Sequence, residues 1–169
     1  SGASQDDINR DFLNIWQTSS DNAILPEKIR NELIASKREP LYCEIIDDFI
    51  IRWYIPKEKV NSQEVLQIKG ALGCDSSENI GKDFTTFTLV SIKDMSVVAT
   101  FRCNNSNTMA IARFIVKFLL KYTGVVFIPE RQNTGIAITD FVIEELQKRN
   151  INPYTRIYND VVQNRNEDR

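Results

Sequence analysis

The chain has 169 residues, of which 42% are hydrophobic and 26% are charged, as expected for one soluble globular domain. The net charge of −2 does not indicate nucleic-acid binding, although local patches rather than totals bind phosphate. Histidine is absent, which excludes a Ser-His-Asp triad, a Cys-His dyad and a His-ligated zinc site.

The first 64 residues predict a lead-in of two short helices and a hairpin. Residues 1–5 are interpreted as an expression scar, and the apolar spacing in residues 6–17 predicts an amphipathic helix. Pro26 is expected to open a second helix over Glu27–Ala35. Apolar runs on both sides of Asp47-Asp48 predict a hairpin, which favours a turn over a metal site for this acidic pair.

Residues 65–160 predict a mixed α/β core, followed by a polar tail over 161–169. Hairpins join the first three strands, and a helical crossover should make the next strand parallel to a neighbour. The expected core elements are strands at about 66–74, 84–92 and 96–103, a helix over Thr108–Tyr122, a strand over 125–129, a helix over Ile136–Arg149 and one further strand over Tyr154–Tyr158. No apolar run reaches the roughly 18 residues of a membrane span.

Two acidic residues follow apolar runs that predict buried strands. Asp75 ends the first core strand, and Glu130 follows the 125–129 run. If these strands are parallel neighbours, both carboxylates lie at one edge of the sheet, where they could share one or two divalent cations such as Mg²⁺. Solvated caps at two strand ends are the alternative interpretation.

Other residues near these strand ends have two interpretations each. Asp83 is either an outer metal ligand or a turn aspartate, and Asn133 either hydrogen-bonds Glu130 or, as the spacing favours, caps the following helix. Gly135 is expected to allow close packing of that helix. Five basic residues either line a phosphate path or form ordinary solvated surface: Lys82, Arg102, Lys117, Lys121 and Arg131. The three cysteines form no CxxC pair and are predicted to be buried thiols: Cys43, Cys74 and Cys103.

The block from Gly73 to Asp83, together with the block from Phe127 to Gly135, resembles the nuclease domain of phage large terminases of the T4-like group. The resemblance spans roughly residues 6–149. It implies an RNase H-like mixed sheet of order 3-2-1-4-5 with helices on both faces. It also implies that Asp75, Glu130 and Asp83 bind Mg²⁺ or Mn²⁺ and cleave concatemeric double-stranded DNA during genome packaging.

The same resemblance implies partners and a location. These are the portal protein, the small terminase subunit and an ATPase domain in the full-length chain, in the host cytoplasm and without a membrane. The chain lacks a Walker-type segment, and nothing after Tyr154 resembles the family's late acidic helix. We therefore expect an incomplete nuclease core that lacks the third acidic ligand.

Two functions of other kinds stay open at this stage. One is a catalytically incompetent module that docks to DNA or to the portal. The other is a different RNase H-like nuclease, such as a junction resolvase.

Overall fold

The computed structural model describes residues 26–77, 84–131 and 133–158. The chain divides into two compact units, residues 1–39 and 40–169. The first unit contributes α1 (Glu27–Ala35), as predicted. The second contains β1 (Tyr42–Ile46), β2 (Phe49–Trp53), α2 (Gln63–Leu66), β3 (Gly70–Asp75), β4 (Thr85–Ser91), β5 (Val97–Cys103), α3 (Thr108–Lys121), β6 (Val125–Ile128) and α4 (Asn133–Gln147). The helix predicted over 6–17 and the tail over 161–169 lie outside the described residues.

Six strands form one mixed sheet in the order β1-β2-β5-β4-β3-β6. β3 is antiparallel to β4 and parallel to β6, because α3 carries the chain across the sheet between β5 and β6. On the outer edge of β6, Ile157 forms a single parallel bridge with Phe127. Counted from β3, the core order is therefore 3-2-1-4, with this bridge in the fifth position. The mixed α/β sheet and its RNase H-like order are confirmed.

The hairpin β1–β2 is part of the sheet and does not belong to a separate lead-in. β2 pairs antiparallel with β5, with Ile50 opposite Arg102, so the predicted boundary at residues 64 and 65 falls inside the second compact unit. An isolated two-stranded hairpin is marginal in water, and pairing with β5 also covers an otherwise open strand edge. Asp47 forms the hairpin turn with φ of 52°, a left-handed conformation that aspartate tolerates.

The two faces of the sheet differ in character. On the buried face, Phe49 stacks on Phe114 of α3 with ring centroids 3.8 Å apart, and Phe101 meets Phe118 at 5.0 Å. The alternate residues point to the opposite face, because successive strand side chains change sides. We call this the open face, and on β2, β4 and β5 it comprises Ile50, Arg52, Thr86, Thr88, Thr100 and Arg102.

Both long helices of the second unit lie on the buried face. α3 contacts α4 directly, and helices on opposite sides of a sheet could not touch each other. The prediction of helices on both faces therefore needs a correction, since across residues 40–77, 84–131 and 133–158 no helix covers the open face. Within the described ranges, no helix is long and apolar enough to cross a membrane.

Several element ends differ from the prediction. β3 begins at Gly70 rather than near residue 66, because Ser62 caps the short helix α2 and its hydroxyl accepts from Val65 N–H. The strand expected over Tyr154–Tyr158 is a 3-10 turn over Pro153–Thr155 and then the single bridge of Ile157. Local capping by Ser62 and Asn152 favours these turns over extended backbone.

Candidate functional site

Asp75 and Glu130 lie at the same edge of the sheet. Gly73 is the register partner of Ile128 in the parallel pair β3–β6. Asp75 ends β3 two residues after Gly73, and Glu130 lies two residues beyond the end of β6. The Glu130 carboxylate accepts from Ser76, the residue directly after Asp75. Asp75 is exposed and Glu130 is half-buried. The condition on which the predicted site depended, parallel neighbouring strands, is met.

Ser76 holds the carboxylate of Glu130. Its hydroxyl donates to Glu130 Oε2 at 2.7 Å, and its main-chain N–H donates to the same oxygen at 3.1 Å. These two hydrogen bonds, the hydroxyl first, keep the pKa of Glu130 below its ordinary value. Sequence reasoning missed Ser76, and its position directly after Asp75 was the available signal.

The pKa of the Cys74 thiol is affected by the negative charges at this edge. It is half-buried on the side of the sheet that carries Phe87, its partner on β4. Burial, and after it the charges of Glu130 and Asp75, raises the pKa of the Cys74 thiol to about 12. Both carboxylates therefore contribute, after burial, to the raised pKa of this thiol. The prediction of three buried thiols holds for Cys103 alone, because Cys43 is exposed on edge strand β1.

Gly135 allows α4 to start against the main chain of Glu130. A Cβ at position 135 would meet the carbonyl oxygen of Glu130 at an impossible distance and its carbonyl carbon at 3.0 Å. Only glycine leaves this space empty. Asn133 is the first residue of α4. Its side chain, and with it the choice between capping and a bond to Glu130, lies outside the described residues.

Two of the basic residues predicted to line a phosphate path lie away from the acidic edge. Lys117 and Lys121 lie on the outer side of α3, and α3 covers the buried face, across the sheet from the side to which Asp75 points. Lys117 Nζ lies 3.4 Å from Asp47 Oδ2. Arg131 follows Glu130 and is exposed near the site. The predictions for Lys82 and Asp83 fall outside the described residues.

The donor set fits a hard divalent cation. Mg²⁺ is commonly held by one or two carboxylates together with waters and substrate phosphates. Asp75 and Glu130 supply two carboxylates on rigid strand ends, while the neutral thiol of Cys74 offers no competing thiolate. Across residues 26–77, 84–131 and 133–158, no cluster of three or more acidic or cysteine side chains could hold a metal.

Comparison with known proteins gives structural matches only. No family model matches the sequence, and no curated protein is significantly similar to it. Solved structures of the large terminase nuclease from thermophilic phage G20c match with 16% identity, covering 69% of this chain and 56% of that one, at a TM-score of 0.41. Its zinc-bound form matches with 16% identity, 71% and 58% coverage and a TM-score of 0.44. Its magnesium-bound form matches with 15% identity, 71% and 53% coverage and a TM-score of 0.41. The chain spans little more than half the length of these structures.

Proposed function

We propose that this chain is the metal-dependent endonuclease domain of a phage terminase large subunit, or most of that domain. The observation that carries the proposal is the parallel pairing of β3 and β6 together with the hydrogen bonds from Ser76 to Glu130, since both bring Glu130 beside the end of β3, where Asp75 lies, at one edge of an RNase H-like sheet. The motif blocks around these two residues, which resemble terminase nucleases, support the same assignment. Structures matched at such low identity add no argument of their own.

Asp75 and Glu130 would hold Mg²⁺ or Mn²⁺ in a site of the two-metal type. When bound, such ions lower the pKa of water and stabilise charge on phosphate oxygens during hydrolysis. The chain's own residues prepare this site. Ser76 orients Glu130 and favours its ionised form, and Gly135 fixes the main chain behind it. Asp75 remains exposed and can reach a bound phosphodiester.

The wider role is part of the proposal. We propose that the substrate is concatemeric double-stranded DNA, cut in the host cytoplasm during genome packaging. The partners would be the portal protein, the small terminase subunit and an ATPase domain of the full-length chain. These assignments rest on the resemblance of the motif blocks.

Nicking of supercoiled plasmid DNA with Mn²⁺ or Mg²⁺ tests the activity. We expect Asp75→Asn and Glu130→Gln each to lower the nicking rate by at least about a hundredfold, because each removes a ligand of the ion that stabilises the transition state. Glu64→Gln is the matched control, since Glu64 is exposed on α2 near the other end of β3. Equal nicking by the wild type and by Asp75→Asn would refute the assignment.

A further inference from the structure

The open face carries a polar row that continues from the acidic edge. In the antiparallel register, Asp75 is opposite Thr86, Thr86 is opposite Arg102, and Arg102 is opposite Ile50. Directly opposed residues point to the same side of a sheet. One line of side chains on the open face therefore runs from Asp75 across β4 to Arg102 on β5.

A second arginine lies in the adjacent row of the open face. Arg52 is opposite Thr100 and is the diagonal neighbour of Arg102, at the about 7–8 Å expected of such pairs. A shallow cleft of about 200 Å³ lies beside the two arginines, and Thr86, Thr88 and Thr100 also line it. Arginine and threonine are common donors to the phosphates of nucleic acids.

Within the described part of the chain, neither guanidinium group takes part in an ion pair. The Nε of Arg102 is buried and has no hydrogen-bond partner there, and Arg52 forms no ion pair there. The ring centroid of Phe84, which is 41% exposed, lies 4.9 Å from the Arg102 guanidinium carbon, so the two groups form a cation–π contact. A guanidinium group without an ion-pair partner can donate charge-assisted hydrogen bonds to the oxygens of an anion such as phosphate.

We infer that the open face binds the phosphate backbone of the DNA strand that is cut at the acidic edge, with Arg102 and Arg52 as the positioning residues. Arg102 is two strands from Asp75, or roughly 10 Å at about 4.8 Å per strand. That distance corresponds to the axial rise of about three nucleotides of one strand. The choice of DNA as the occupant rests on the proposed function, and the charge of the arginines complements the phosphates.

Fluorescence anisotropy of a labelled 20-base-pair duplex tests the inference, with the whole chain, in EDTA, between 50 and 200 mM salt. We expect Arg52→Gln and Arg102→Gln each to weaken binding at least about tenfold, because each loses a charge-assisted hydrogen bond. Each should also lower the slope of log K against log salt by about one. The controls Lys117→Gln and Lys121→Gln remove the same charge on the other side of the sheet, and their affinity should stay within about twofold of the wild type.

The outcomes separate this inference from the nuclease assignment. If plasmid nicking depends on Asp75 but both arginine variants bind like the wild type, the inference is overturned and the nuclease stands. If the arginine variants lose binding while no nicking is found, the nuclease assignment fails, and of the inference only the binding of DNA by the open face stands. A wild type that does not bind the duplex overturns the inference. If Arg102→Gln does not fold, the test uses Arg52→Gln together with Arg102→Lys. Because lysine keeps the positive charge, Arg102→Lys should keep the salt slope of the wild type.

Discussion

Replacing Gly135 by alanine should destabilise the protein, against the intrinsic preference of a helix. Position 135 lies in α4, where alanine is normally favoured over glycine by about 0.8–1.0 kcal/mol. Here the new Cβ would overlap the carbonyl oxygen of Glu130 and come within 3.2 Å of its Cβ. Because the contact is with main chain, α4 or the end of β6 must move, at a net cost of about 1–3 kcal/mol.

Thermal unfolding followed by circular dichroism measures this effect. A cost of that size lowers Tm by roughly 2–12 °C, at about 2–4 °C per kcal/mol for a domain of this length. Gly73→Ala is the matched control, since a Cβ there meets only the Thr88 carbonyl oxygen at 3.9 Å, and it should be neutral or stabilising by up to about 1 kcal/mol. Because Glu130 is displaced, Gly135→Ala should also nick plasmid DNA more slowly. A Tm for Gly135→Ala at or above that of the wild type would refute the reasoning.

Three further predictions concern single side chains. Because Ser76 keeps the pKa of Glu130 low, Ser76→Ala should move the carboxyl titration of Glu130, followed by NMR, to higher pH. The stability that ionised Glu130 contributes should then be lost at higher pH as the solution is acidified. An unmoved titration would contradict this. Arg156 donates to the Leu119 carbonyl in the last turn of α3 and to the Tyr122 and Val125 carbonyls beyond it. Arg156→Ala should therefore lower the free energy of unfolding in urea by about 1.5–3 kcal/mol, and an unchanged midpoint would contradict this. Exposed Cys43 should react with a thiol reagent at pH 8 far faster than Cys74. The raised pKa of Cys74 leaves only about 10⁻⁴ of that thiol as reactive thiolate at this pH. Equal reaction rates would contradict this.

The predicted elements and the acidic pair came from local patterns. Strand alternation and helical spacing depend on neighbours within about two turns, so α1, the hairpin β1–β2 and the order of core elements could be found without a structure. Element ends were less accurate, because the cap of Ser62 depends on one hydrogen bond and the bridge of Ile157 on two. The sequence did not predict that the hairpin β1–β2 joins the main sheet, because the pairing between β2 and β5 joins segments that are distant in the chain.

The candidate site divides in the same way. The sequence by itself determined that Asp75 and Glu130 end buried strands, since apolar runs before a carboxylate are local features. Only the tertiary structure decided that these strands are parallel neighbours, that Ser76 holds Glu130, and that Lys117 lies on the other side of the sheet. It also brought Arg102 into one row with Asp75 and Arg52 into the adjacent row, because register and the side of a sheet are set by pairing between strands.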